Sequence, residues 1–210
     1  MGYTNQTAPS RERLLWAFCR VLANETRLRL LFEIIQSAPL SVDQLSARIG
    51  ILKTSASMHL KELHTYGLIS PNRRKQSVYY ALRIEPPEIY PNVMLPILIH
   101  AAESKANPTS MVHTTTALTH QRRVEIIRML SHGPQTTNEL LDSSNIKRSA
   151  LNRHLIKLID RKFVVYANSN YCLHAPESAL SAALLDIALH QTPTDFFTDN
   201  RKLRIYNYPS

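Results

Sequence analysis

Apolar residues recur three and four apart along most of the chain, the spacing of helices buried on one face. Leu28, Leu31, Ile34 and Ile35 predict a helix over 24–37, ended by Ala38-Pro39. Ser41, with Gln44 three residues on, is a capping-box start for a short helix over 42–49 that Gly50 stops. A further helix over 53–66 ends at Gly67. Two strand-like stretches follow, 68–70 and 77–82, joined by Pro71-Asn72-Arg73-Arg74-Lys75-Gln76. The same order then returns, with helices over 119–131, 137–143 and 148–161 and strands over 163–166 and 171–174. Thr136 and Glu139 supply the second capping box. Flanking helices are expected at 12–22, which is amphipathic, at 92–104, and at 176–191, which has a long apolar face. Residues 105–112 read as a linker, and the tail 192–210 takes no assignment.

The return is a repeat in the residues as well as in the pattern. Laid over 134–158, residues 39–63 give six identities: Pro39/Pro134, Leu45/Leu140, Ile51/Ile146, His59/His154, Leu60/Leu155 and Leu63/Leu158. Upstream the offset grows by one, bringing Leu22, Arg27 and Leu28 over Leu118, Arg123 and Val124. The expected fold is mainly α with small β-hairpin wings. It holds tandem duplicated winged helix-turn-helix domains, 1–105 and 106–210, whose flanking helices form an internal pseudo-dimer.

A short helix, a tight turn and a second helix place that second helix for a major groove. In the first copy Ala56, Leu60 and Leu63 form the core stripe. Lys53, Thr54, Ser55, Ser57, Met58, His59 and Lys61 are then left for a duplex. Hydroxyls near a helix start suit phosphates or base edges. The hairpin tip, with Arg73, Arg74, Lys75 and Gln76, suits the DNA backbone or minor groove. The second copy buries Leu151, Leu155 and Leu158 and offers Lys147, Arg148, Ser149, Asn152, Arg153, His154 and Lys157. Arg reads guanine bidentately and Asn reads adenine. For His59 and His154, packing and phosphate contact are both open. The second hairpin, Tyr166-Ala167-Asn168-Ser169-Asn170, is short and uncharged, so the copies are not expected to meet DNA equally.

Charge agrees with a polyanionic partner. The chain carries a net charge of +9 and a pI near 9.8, and 13 Lys/Arg stand against 8 Asp/Glu in the first 105 residues, 12 against 8 in the rest. Both halves can therefore neutralise phosphates. The two cysteines, Cys19 and Cys172, allow no CxxC site and read as buried free thiols. The first ten residues lack the apolar core of a signal peptide. The longest apolar run, 93–99, is broken by Pro96 and too short for a bilayer. A cytoplasmic protein is expected, nucleoid-associated in a bacterium or archaeon. No nucleotide loop, catalytic triad order or paired carboxylates point to an enzyme.

The first copy resembles the ArsR-type winged-helix transcriptional regulators. The carrying residues run from Leu22 to Leu31, then Ser57-Met58-His59-Leu60-Lys61-Glu62-Leu63 with Tyr66-Gly67-Leu68-Ile69, and the wing end Val78-Tyr79-Tyr80-Ala81-Leu82. Met58 stands where the family commonly has Arg. The second copy is a more divergent match; it has Arg153 before His154-Leu155, but Lys162-Phe163 in place of Gly-Leu. The resemblance implies a sequence-specific regulator of double-stranded DNA, a repressor before an activator. It implies two recognition helices in successive major grooves. The family's dimer would be imitated within one chain, with a homodimer of whole chains as the alternative. A winged-helix protein-interaction scaffold is the rival reading. The family's metal-site signatures are missing: 42–49 holds no Cys, and His100 with Glu103 lacks companion ligands. No metal and no cofactor are expected, and any small-molecule effector is unknown.

Overall fold

The computed structural model describes residues 11–83 and 89–190. The first unit runs α1 (Arg11–Leu22), α2 (Glu25–Ser37), β1 (Leu40–Ser41), α3 (Val42–Ile49), α4 (Lys53–Thr65), β2 (Ile69–Arg74), β3 (Ser77–Leu82) and α5 (Ile89–Glu103). Asn24 caps α2 by accepting the Arg27 backbone N–H at 3.0 Å. The Ser41/Gln44 capping box forms in both directions, at 2.8 and 3.2 Å. Each cap satisfies donors that a helix start leaves open. The three strands order as β1-β3-β2, antiparallel. β2 is longer than the sequence pattern predicts. It continues through Pro71, paired with Tyr80, to Arg74, and leaves Lys75-Gln76 as the turn. Proline is tolerated there because β2 is an edge strand.

The second unit runs α6 (Pro108–Thr115), a 3₁₀ turn (Thr116–Leu118), α7 (Gln121–Leu130), α8 (Thr137–Ser144), α9 (Arg148–Asp160), β4 (Val164–Ala167), β5 (Asn170–Leu173) and α10 (Ala179–Leu189). Helix α6 corrects the linker expected over 105–112. Asn107 accepts the Thr109 N–H at 2.9 Å and Pro108 opens the helix, a start signal in its own right. Its apolar pattern is thin, since only Met111 and Thr115 are buried. With its 3₁₀ turn, α6 stands where α1 stands in the first unit, so the repeat reaches further back than the residue identities do. The place of β1 is taken by a single bridge, Gln135 to Tyr171. Asn168 and Ser169 both have positive φ, 50° and 63°, the two-residue turn that matches strand twist. The tail 192–210 lies outside the described residues.

Equivalent helices of the two units meet each other. α1 packs on α6 and its 3₁₀ turn, and α5 packs on α10. The cross pairs also match, α2 with α6 and α1 with α7. One contiguous core runs through both units, from Leu22, Leu28 and Leu60 to Leu118, Ile127 and Leu155. The same arginine fastens each unit. Arg27 donates to the carbonyls of Val21 at 2.6 Å and Arg20 at 2.7 Å. Arg123 donates to those of Ala117 and Thr116. The first clamp ties α2 to α1, and the second ties α7 to the 3₁₀ turn that follows α6.

Candidate nucleic-acid interface

Both helices expected to be recognition helices bury the predicted stripe. Ala56, Leu60 and Leu63 of α4, and Leu151, Leu155 and Leu158 of α9, are at most 1% exposed. Cross-helix contacts fix the angle to the preceding helix. Lys53 pairs with Asp43 of α3 at 2.6 Å, and Arg148 donates to Asn138 of α8 at 3.0 Å. Two basic site candidates thus brace the helix-turn-helix from one end. The turns use the same left-handed backbone with different residues. Gly50 ends α3 at φ 72°, and Asn145 ends α8 at φ 49°. After the recognition helices, Gly67 sits at φ 75° and Lys162 at 59°. Asn adopts this region readily, whereas Lys adopts it at a cost.

On α4 the structure leaves Thr54, Ser57, Met58 and Lys61 exposed, Met58 to 58%, with Ser55 half-buried. Arg73, Arg74, Lys75 and Gln76 are exposed at the hairpin tip, and Arg74 lies 5.8 Å over the Tyr79 ring. On the second unit Lys147, Arg148, Ser149, Asn152 and Arg153 are exposed. Lys157 is half-buried and does not face fully outward as the sequence pattern predicts. The two histidines differ from their neighbours. Both are half-buried, on the flank of the recognition helix that faces the first helix of each core. Nδ1 of His59 is buried without a hydrogen-bond partner. Burial, then Arg27, lowers the His59 pKa. His154 lies with its ring 4.6 Å from that of His120. Burial first, then His120, Arg123, Arg153 and Arg122, holds its pKa down at about 4. Both are neutral at pH 7, a state suited to packing more than to gripping a phosphate.

Some surface features are absent from the sequence-level candidates. Ile156, 64% exposed, stands where the first unit has Lys61, and Ile159, Val165 and Tyr166 are exposed beside it. Their signal was apolar residues at positions that the core stripe does not claim. Cys19 is fully buried, and burial pushes its thiol up to about 12, so it stays protonated and unreactive. Cys172 is only half-buried, unlike the sequence expectation. His100 and Glu103 are exposed on α5. Among the described residues, no helix is long and apolar enough to cross a membrane.

The model of the family described as bacterial regulatory protein, arsR family, matches residues 24–70 and, separately, 120–165. Two separate segments of the chain thus match the same family model. Both arsR-family matches begin at the cap residue of the first core helix, Asn24 of α2 or His120 of α7, and end in the first wing strand. The transcriptional activator HlyU of Vibrio cholerae is 35% identical over 63 residues, 30% of this chain and 57% of HlyU. The chain thus spans little more than half the length of that relative. The arsenic resistance transcriptional regulator ArsR1 of Pseudomonas putida is 28% identical over 92 residues, 44% of this chain and 71% of ArsR1. Among solved structures, reduced HlyU from Vibrio cholerae is 27% identical and covers 39% of this chain and 84% of its own, with a TM-score of 0.32. The curated relatives are transcription regulators, a class whose members are generally not enzymes.

Proposed function

We propose that this chain is a sequence-specific, double-stranded-DNA-binding transcription regulator, non-enzymatic and cytoplasmic, that presents α4 and α9 to successive major grooves. The observation that carries this reading is the helix-turn-helix repeated within one packed body, each copy with polar and basic residues on its outward face. Residues 1–105 and 106–210 act as the two heads. The helix pairs α1 with α6 and α5 with α10 take the part of a dimer interface. Readout by two such helices requires a spacing of about 34 Å, one turn of the duplex. The DNA contacts are the outward residues of α4 and α9 and the first hairpin tip, from Lys53 to Lys61, Arg73 to Gln76, and Lys147 to Lys157. Repression is the sign of regulation we assign, by occlusion of a promoter. A promoter–reporter fusion with and without the protein reads that sign directly.

The experiment for the main reading is selection of bound duplexes from a random pool. The expected result is one enriched site whose halves differ, because the heads differ. A second reading has an observation in its favour. The exposed Ile156, Ile159, Val165 and Tyr166 would suit a protein-interaction scaffold that reads no DNA sequence. Retention of duplex with no enriched sequence, or no retention at all, would favour that scaffold.

A further inference from the structure

We propose that the second unit holds duplex backbone phosphates with a cationic patch of Arg122, Arg153, Lys157 and Arg161, on the flank of α9 that faces α7, in place of a charged wing. The proposal rests on the DNA-binding reading above and assigns the phosphate contacts of one head.

The two units differ at the positions of this patch. The positions that correspond to these four residues in the first unit are Thr26, Met58, Glu62 and Tyr66. Two neutral polar residues, a thioether and a carboxylate have become four cations. The two environments do correspond. In the first unit Arg27 feels the charges of Glu62 and Tyr66. In the second, Arg123 feels Arg161, and Lys157 feels Arg161 and Arg123.

Geometry gathers these groups. α7 packs on α9, and Arg161 donates from Nε to the Thr116 hydroxyl at 2.8 Å, beside the 3₁₀ turn. Two carboxylates oppose the patch: Glu125 pairs with Arg122 at 2.9 Å, and Asp160 pairs with Arg161. Arg123 spends its donors on backbone carbonyls and the Thr119 hydroxyl, so no anion offsets it. Among the described residues, the side chains of Arg153 and Lys157 take part in no hydrogen bond or ion pair. Arg20 of α1 adds its charge from the other unit, donating to the Thr119 carbonyl at 3.1 Å. The result is a net positive field, with four cations against two carboxylates, on a surface that already includes α9. Burial, then Arg161 and Arg123, lowers the Lys157 pKa, as expected of a cation among cations. An arriving phosphate would relieve that repulsion.

The hairpins differ in the opposite sense. The first unit offers Arg73, Arg74 and Lys75 at its tip, and the second offers Asn168 and Ser169. Each head has one cationic feature where the other has none.

The test uses the full chain and random-sequence duplex DNA, with binding measured across a salt series. One variant installs the first unit's residues, Arg122→Thr with Lys157→Glu. A second, Arg122→Gln with Lys157→Gln, removes charge without adding any and guards against misfolding of the first. Loss of two phosphate contacts should weaken binding at every sequence and flatten the log–log salt slope by about 1.8. An unchanged slope in both variants overturns the patch. If alanine at Arg73, Arg74 and Lys75 flattens the slope in the same assay, that failure belongs to the patch alone. No retention of duplex by the unmodified chain overturns the DNA reading and the patch with it.

Discussion

The two units share their framework and differ in what they show to solvent. Capping boxes recur at Ser41/Gln44 and Thr136/Glu139. The arginine clamp recurs at Arg27 and Arg123, and the brace between the turn helices at Lys53 and Arg148. These residues satisfy backbone groups or set an interhelical angle, and both copies need that in the same way. At outward positions the copies part. Met58 faces Arg153 in the comparison, Lys61 faces Ile156, and a charged hairpin tip faces a neutral one. Duplication thus separates the residues that hold the fold from those free to take on a task, because only the first kind is constrained twice.

The strongest challenge to the equivalence of the frameworks is a cavity in each. Leu60 and Leu155 are almost fully buried at matching positions. Leu60→Ala and Leu155→Ala should each cost about 3 kcal/mol, and both should shift one shared urea transition, since a single core joins the units. Two separate transitions, with only the mutated unit destabilised, would show two independently folding bodies instead. Next comes the difference in the hairpins. Alanine at Arg73, Arg74 and Lys75 should flatten the salt slope of duplex binding by about 2.7. Alanine at Asn168 and Ser169 should leave the slope where it was.

The histidines sharpen the comparison further. His154 keeps a folded pKa of about 4 against an ordinary 6.5. The unfolded chain therefore takes up the proton first as pH falls. The stability linked to this group is complete above pH 6.5 and is lost progressively towards pH 4. Urea midpoints across that range should fall more steeply for the natural chain than for His154→Gln. The smallest effect lies at the end of the recognition helices. Lys162→Gly should stabilise by about 1 kcal/mol by relieving the left-handed strain, and Gly67→Ala should destabilise by a similar amount. Thermal melts of the two variants should move in opposite directions.

Much of this architecture is legible in the residues. The helices of the repeat follow from apolar spacing, and the two capping boxes from residues three apart. What escaped depends on partners distant in sequence or on weak apolar signal. β1 is two residues long and exists only because Tyr79 and Tyr80 lie opposite it. Helix α6 buries too little to show a stripe, although Asn107-Pro108 announced its start. The continuation of β2 through Pro71 required knowing that it lies at a sheet edge. At the candidate interface, residue types and helix faces were readable from the chain. The inward lean of His59 and His154, and the gathering of cations around α7 and α9, were not. Those arise where helices that are about a hundred residues apart in the case of Arg20 and Thr119 come to touch.

The pairing of α1 with α6 and of α5 with α10 takes place within one polypeptide. Two separate subunits drift apart on dilution, and the fraction assembled then depends on how many copies a cell holds. Here the second half is always at the effective concentration set by the connection between α5 and α6, whatever the copy number. Under the proposed reading of one chain as both heads, occupancy of a DNA site should rise in simple proportion to the number of chains, with no threshold. Under the same reading, unlike heads give the chain a direction, and a site whose halves differ would fix which way round it lies.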